Sequence, residues 1–104
     1  MAKYLLLYRG GEQPQGEDEG KAVMAAWMAW FESLGAAVAD GGNPAGGAKA
    51  VAPDGTVSDA DIRDVTGYSI IEAGSLEAAV EMAKGCPHLA AGGTVTVHET
   101  FEVM

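Results

Sequence analysis

Apolar residues recur along this chain at two different intervals, and each change of interval marks an element. Residues 3–9 (Lys-Tyr-Leu-Leu-Leu-Tyr-Arg) are apolar on both alternating faces, Leu5 and Leu7 on one and Tyr4, Leu6 and Tyr8 on the other. That pattern predicts a central strand with something covering each side. Residues 10–20, with four glycines and four acidic residues, read as a loop. Over 18–35 the interval becomes helical: Val23, Trp27, Trp30, Phe31 and Leu34 form a stripe that Met24 and Met28 widen. Glu17, Asp18 and Glu19 suit the positive end of such a helix, and Gly35 tolerates the backbone that ends it.

The middle of the chain is less regular. Residues 36–58 predict one interrupted strand, kinked near Gly41-Gly42-Asn43-Pro44 and Gly46-Gly47, with a turn at Pro53-Asp54-Gly55. The polar run 58–66 predicts a loop. Residues 67–73 (Gly-Tyr-Ser-Ile-Ile-Glu-Ala) form a strand, and Ser75 caps a second helix whose buried stripe is Leu76, Ala79, Val80 and Ala83. Gly85 ends that helix and Pro87 blocks its continuation. Residues 94–103 predict a half-buried final strand, with Val95, Val97, Phe101 and Val103 on one face and Thr94, Thr96, His98, Thr100 and Glu102 on the other.

The resulting order, β-α-β-β-α-β, is the split βαβ arrangement of α+β ferredoxin-like domains: a four-stranded antiparallel sheet with two helices on one face. The whole chain, residues 1–104, reads as one such domain. Because the first strand is apolar on both faces, one apolar face lacks a helix. A second copy or a ligand would cover it, and two sheets facing each other make a homodimer, a dimeric α+β barrel.

Charge and composition narrow the partners. A net charge of −9 opposes nucleic acid, whose binding depends on Lys and Arg displacing counterions, and opposes an anionic membrane surface. No apolar run approaches the roughly 20 residues of a membrane span, and the three leucines near the N-terminus are too few for a signal peptide. The expected location is cytoplasmic, with the single cysteine, Cys86, reduced. One cysteine and two distant histidines give no metal site. The glycine-rich stretch 41–47 lacks the spacing of a nucleotide loop, so no cofactor is expected.

Among the candidate residues, His88 is either a general acid or base or a helix-end histidine facing free carbonyls. Asp40 would sit roughly 17 Å from His88, a strand length away, and reads better as a turn residue. His98 and Glu99 point to opposite faces and are no pair. Cys86, at a helix C-terminus where the dipole raises a thiol pKa, reads as structural. Trp27 and Trp30 pack in the core, or wall a cleft and stack on a flat ligand.

Several segments together resemble a known family. They are Trp27-x-x-Trp30-Phe31 leading to Leu34-Gly35; Asp40-Gly41-Gly42-Asn43-Pro44 with Lys49 and Asp54-Gly55; Gly67-Tyr68-Ser69-Ile70-Ile71-Glu72-Ala73 with Ser75-Leu76-Glu77-Ala78-Ala79; and Gly85-Cys86-Pro87-His88-Leu89 with Gly92-Gly93. Their order resembles the YCII-related (DGPF-like) proteins over nearly the whole chain. The resemblance implies a ferredoxin-like fold, usually a dimeric α+β barrel, with a cleft between sheet and helices. Some relatives act on chlorinated lactones, and many are uncharacterised. The YCII branch carries a His-Asp pair. Here Trp27 stands at the histidine position and Ala45-Gly46-Gly47 where the aspartate belongs, so the pair does not carry over and the catalytic residues are unknown. The expectation is a small-molecule cleft near Trp27, Asn43, Lys49 and His88, with Lys49 suiting an anionic ligand. The alternative is a non-catalytic dimerisation or interaction domain.

Overall fold

The computed structural model describes residues 2–103. Four strands form one antiparallel sheet: β1 (Ala2–Arg9), β2 (Val38–Asp40), β5 (Gly67–Ala73) and β6 (Thr94–Glu99), in the order β2-β5-β1-β6. β1 is central, paired on one side with β5 through Leu6↔Ser69 and on the other with β6 through Leu6↔Val97. The helices are α1 (Gly16–Leu34), α2 (Leu76–Ala83) and the single turn α3 (Pro87–Ala90). This is the α+β ferredoxin-like arrangement that the periodicity predicts.

The two faces of β1 differ as its alternation requires. Tyr4, Leu6 and Tyr8 are buried beneath the helices, while Leu5 and Leu7 are half-buried on the other side. The core joins those three to Trp30, Ile71, Ala73, Ala79, Ala83 and Cys86. Trp30 tethers α1 to α2, because its buried indole N–H donates to the Met82 carbonyl at 3.1 Å. The Ser75 cap forms as expected, with the hydroxyl accepting from the Ala78 amide at 3.1 Å.

Several boundaries depart from the sequence reading. The interrupted strand 36–58 is divided between two sheets. Val38–Asp40 joins the main sheet with a bulge, whereas β3 (Lys49–Val51) pairs with β4 (Val57–Asp59) in a separate hairpin. β4 lies in part of the run 58–66 expected to be loop. Its partner is the adjacent β3, so short polar segments pair without a buried face to give them an apolar signature. β6 stops at Glu99, and Phe101 and Val103 are about 80 % exposed. The stripe of α2 is narrower than expected: Ala79 and Ala83 are buried, while Leu76 and Val80 lie at the exposed margin. Pro87 does not simply halt α2. It opens α3 as its first residue, where a missing N–H costs nothing.

Only one layer of helices covers the sheet. The described chain has a smallest extent of 18 Å and a radius of gyration of 15.1 Å, against roughly 13 Å for a compact domain of this length.

Candidate binding cleft

Where β1 ends and β5 begins, the sheet, α1 and two loops part to leave a cleft of about 500 Å³, within the range of small-molecule sites. α1 supplies an apolar wall of Val23, Met24, Trp27 and Phe31. The opposite wall is loop: Glu12, Gln13 and Pro14 on one side and Gly41–Pro44 on the other. Tyr8, Thr66–Tyr68 and His88 complete the lining.

Trp27 is half-buried and held by its neighbours. Its ring meets Tyr8 edge-on, with centroids 5.0 Å apart at 80°, and lies 5.8 Å from Phe31 and 5.7 Å from Trp30. Such edge contacts favour one orientation of the indole. Tyr8 is fixed in turn. Its hydroxyl donates to Ser69 Oγ at 2.7 Å, and Ser69 donates to the Gly41 carbonyl at 2.7 Å. Burial raises the Tyr8 pKa far above that of a free phenol, and the Ser69 hydrogen bond only partly opposes it. Tyr8 is therefore a neutral wall with its proton committed.

His88 occupies a narrow slot. One ring nitrogen, Nε2, lies 2.9 Å from the Arg9 carbonyl. A carbonyl only accepts, so Nε2 carries the proton, and in the neutral ring Nδ1 is left as an acceptor. Gly11 and Gly93 border the ring, and a methyl group on either would overlap it. The ring centroid is 5.5 Å from that of Tyr8. The residue thus sits on the cleft with one nitrogen anchored and one uncommitted. Behind it, Cys86 is buried, and burial pushes its thiol up to about 11. The sequence reading assigned that rise to the helix dipole. Cys86 in fact caps the start of α3, and desolvation is the cause, with the His88 amide partly opposing it.

The segment 41–44 is held by backbone contacts. Asp40 Oδ1 accepts from the Gly42 amide at 2.8 Å, the turn role expected of it, and the Asn43 carbonyl accepts from the Tyr68 amide at 3.2 Å. Gly42 has φ +75°, and any β-carbon there would collide with the Tyr68 carbonyl oxygen. The Asn43 side-chain amide has no hydrogen-bond partner among the described residues and borders the cleft.

Three of the four expected site residues, Trp27, Asn43 and His88, therefore line one cleft. Lys49 does not. It lies on β3 and is ion-paired with Asp59 of β4. The spacing from Asn43 to Lys49 suggested proximity, but the chain leaves the main sheet between them. Asp40 does not line the cleft either, and His98 is on the open face, 2.9 Å from Thr96 Oγ1. The sequence reading did not single out Tyr8, Glu12, Gln13, Met24 or Phe31 as lining residues. For Phe31 and Met24 the helical stripe with Trp27 was a usable signal. For Glu12 and Gln13 there was none, since their placement depends on long-range contacts such as the Glu12 amide to the Ala91 carbonyl at 2.9 Å. Among the described residues no three His, Cys, Asp or Glu side chains gather to hold a metal ion, and no helix is long and apolar enough to cross a membrane.

The family model for the YCII-related domain matches residues 2–103. Among solved structures, the chain is similar to 5-chloro-2-hydroxyhydroquinone dehydrochlorinase from Burkholderia phenoliruptrix AC1100, in complex with 2,5-dihydroxybenzoquinone. The identity is 26 % and the TM-score 0.57, over 96 % of this chain and 93 % of that one. No curated protein matches.

Proposed function

The chain belongs to the YCII-related family, and from that premise we propose that it binds a flat, hydroxylated ring compound in the cleft, with the ring lying against Trp27. The observation that carries this reading is Trp27 itself: a half-buried indole braced by Tyr8 and Phe31 on the wall of a cleft of about 500 Å³. Asn43 and His88 offer polar contacts at the same cavity. The solved relative, with its bound dihydroxybenzoquinone, supports the same ligand class. An unfilled, partly polar cleft favours this reading over that of a bare interaction domain.

The proposal is binding. Among the described lining residues, His88 Nδ1 is a ring nitrogen left as an acceptor by the Arg9 contact. Tyr8 holds its proton too tightly, and tryptophan has no basic nitrogen. Turnover would require a second acid–base group: Ala45-Gly46-Gly47 do not supply one, and the lining carboxylate is Glu12.

A second copy of the chain is proposed to cover the open sheet face. Leu5, Leu7 and Ile70 are half-buried there, and Val51 and Val57 of the hairpin are 71 % and 61 % exposed. A buried, reduced thiol suits a cytoplasmic setting.

Calorimetric titration with hydroquinone tests the cleft. Trp27→Ala is expected to weaken binding about tenfold, and Trp27→Phe much less, since a flat aromatic surface remains. Unchanged affinity in Trp27→Ala would place the ligand elsewhere.

A further inference from the structure

The cleft has no cationic counterpart for an anion. Among the described lining residues Glu12 is the only one with a fixed formal charge, and that charge is negative. No Lys or Arg side chain among the described residues lines the cleft. Arg9 pairs with Asp64 at 2.6 Å, Arg63 donates to the Gly11 carbonyl at 2.9 Å, and Lys49 pairs with Asp59. The whole chain carries −9. An anionic ring entering here would lose hydration against an apolar α1 wall and gain no opposite charge.

The hydrogen-bonding inventory has the same bias. The His88 nitrogen left free by the Arg9 contact accepts, and the Glu12 carboxylate accepts. Both suit a ligand O–H donor and oppose an oxyanion. We infer that this cleft selects by protonation state: it takes the uncharged hydroxyl form of a phenolic ring and discriminates against the phenolate. The inference rests on the ligand class proposed above and adds the charge form. Tyr8 provides an internal precedent, being a phenol in this wall that is held neutral by burial.

The titratable side chains on the cleft side of the sheet are Tyr8 from β1, Glu12 from the loop before α1 and His88 from α3, while Tyr68 of β5 points with Leu7 to the open face. The lining residues of α1 contribute none. His88 is the imidazole among the titratable side chains, so a test must separate any effect of its ring from the ligand's own ionisation.

Para-nitrophenol, para-cyanophenol and meta-nitrophenol ionise at successively higher pH and are similar in size. Their dissociation constants for the intact protein should be measured from mildly acid to mildly alkaline pH. The expected result is affinity falling about tenfold or more on ionisation, the scale of an uncompensated charge at a partly desolvated site. The pH midpoint should move with each phenol's own ionisation. A midpoint common to all three would assign the effect to His88 and overturn the inference, as would equal or tighter binding of the phenolates. Glu12→Lys should narrow the gap between the two forms, and a gap that it leaves unchanged counts against the charge argument. Since the hydroxyls of 2,5-dihydroxybenzoquinone are vinylogous acids, that compound should bind more weakly than hydroquinone. If no neutral ring binds at any pH, the ligand class itself fails and the charge selection with it.

Discussion

Residues 40–44 and 46–59 are both rich in glycine and short polar side chains, and each holds a proline, yet they have opposite structural fates. The first stretch is tied to the main sheet. Asp40 Oδ1 holds the Gly42 amide, the Asn43 carbonyl receives the Tyr68 amide, and Pro44 bridges to Gly67. The second stretch leaves the sheet and pairs only with itself through β3 and β4, all six of whose residues are exposed. One forms a wall of the cleft, and the other holds Lys49, the residue expected at that cleft, in an ion pair with Asp59. The difference lies in whether the backbone has a distant partner, and composition does not report that.

The sharpest way to break this contrast is at its glycines. Gly42 has φ +75° and its missing β-carbon faces the Tyr68 carbonyl oxygen, while Gly46 has nothing within 4 Å. Backbone cannot move aside as a side-chain tip can. Gly42→Ala is expected to cost about 3 kcal/mol or more, lowering the thermal midpoint by about 12 °C or more. Gly46→Ala should stay within about 0.5 kcal/mol of the parent. Parallel thermal melts measure both. Equal melting of the two variants would show that the first stretch is no more constrained than the second.

The cleft end also differs from the hairpin in how it treats charge. Around the cleft, burial holds Tyr8 and Cys86 neutral, whereas the hairpin displays an ionised pair to water. The Cys86 thiol is raised from 9.0 to about 11. A raised folded-state pKa contributes stability that is complete below the unfolded value and lost as pH rises through the folded one. Stability should therefore fall by about 2 kcal/mol between roughly pH 9 and pH 11 on this account. Cys86→Ala should flatten that part of the stability profile relative to the parent. An identical slope in the two proteins would remove Cys86 as its source.

How much of this could be read from the sequence depended on whether a residue's role is local. Tyr4, Leu6 and Tyr8 alternate with Leu5 and Leu7, and that pattern alone oriented the central strand. Ser75 announced its helix because a cap bonds three residues away. Trp27 and Phe31 share a helical stripe, so their common wall was visible in spacing. The slot of His88 was not, because Gly11 reaches it from the far end of the chain. The β3–β4 hairpin was missed because its strands bury nothing, and period-2 alternation appears only where one face is hidden. Lys49 was misplaced for the related reason that a six-residue interval from Asn43 says nothing about direction once the chain leaves the sheet.

The exposure of the hairpin describes one copy of the chain, and a second copy would change it. If two sheets face each other, Leu7 and Ile70 become interior, and Val51 and Val57 have a surface to meet. Light scattering at micromolar concentration is expected to give the mass of two chains. Leu7→Glu should reduce it to one, because an unpaired carboxylate would then be buried at the interface. A parent mass of one chain, independent of concentration, would leave the hairpin and open face as solvent-facing surfaces.

The smallest expected effect belongs to Lys49, and it separates the two stretches most cleanly. The Lys49 and Asp59 side chains are 66 % and 92 % exposed. An ion pair so open to water is screened, and holding two mobile side chains together costs entropy, so such pairs contribute at most about 1 kcal/mol and often nothing measurable. Lys49→Ala is therefore expected to change stability by less than about 0.5 kcal/mol. It should leave the affinity for hydroquinone unchanged, because Lys49 is absent from the cleft lining. It should also leave the preference for neutral over ionised nitrophenols intact, whereas Glu12→Lys, which places the same ammonium group within the cleft, should weaken that preference. The pair of substitutions compares one type of charge in two places. If Lys49→Ala weakened binding of the phenolate forms selectively, the hairpin would have to fold back over the cleft when ligand is bound, and the two stretches would act as one site.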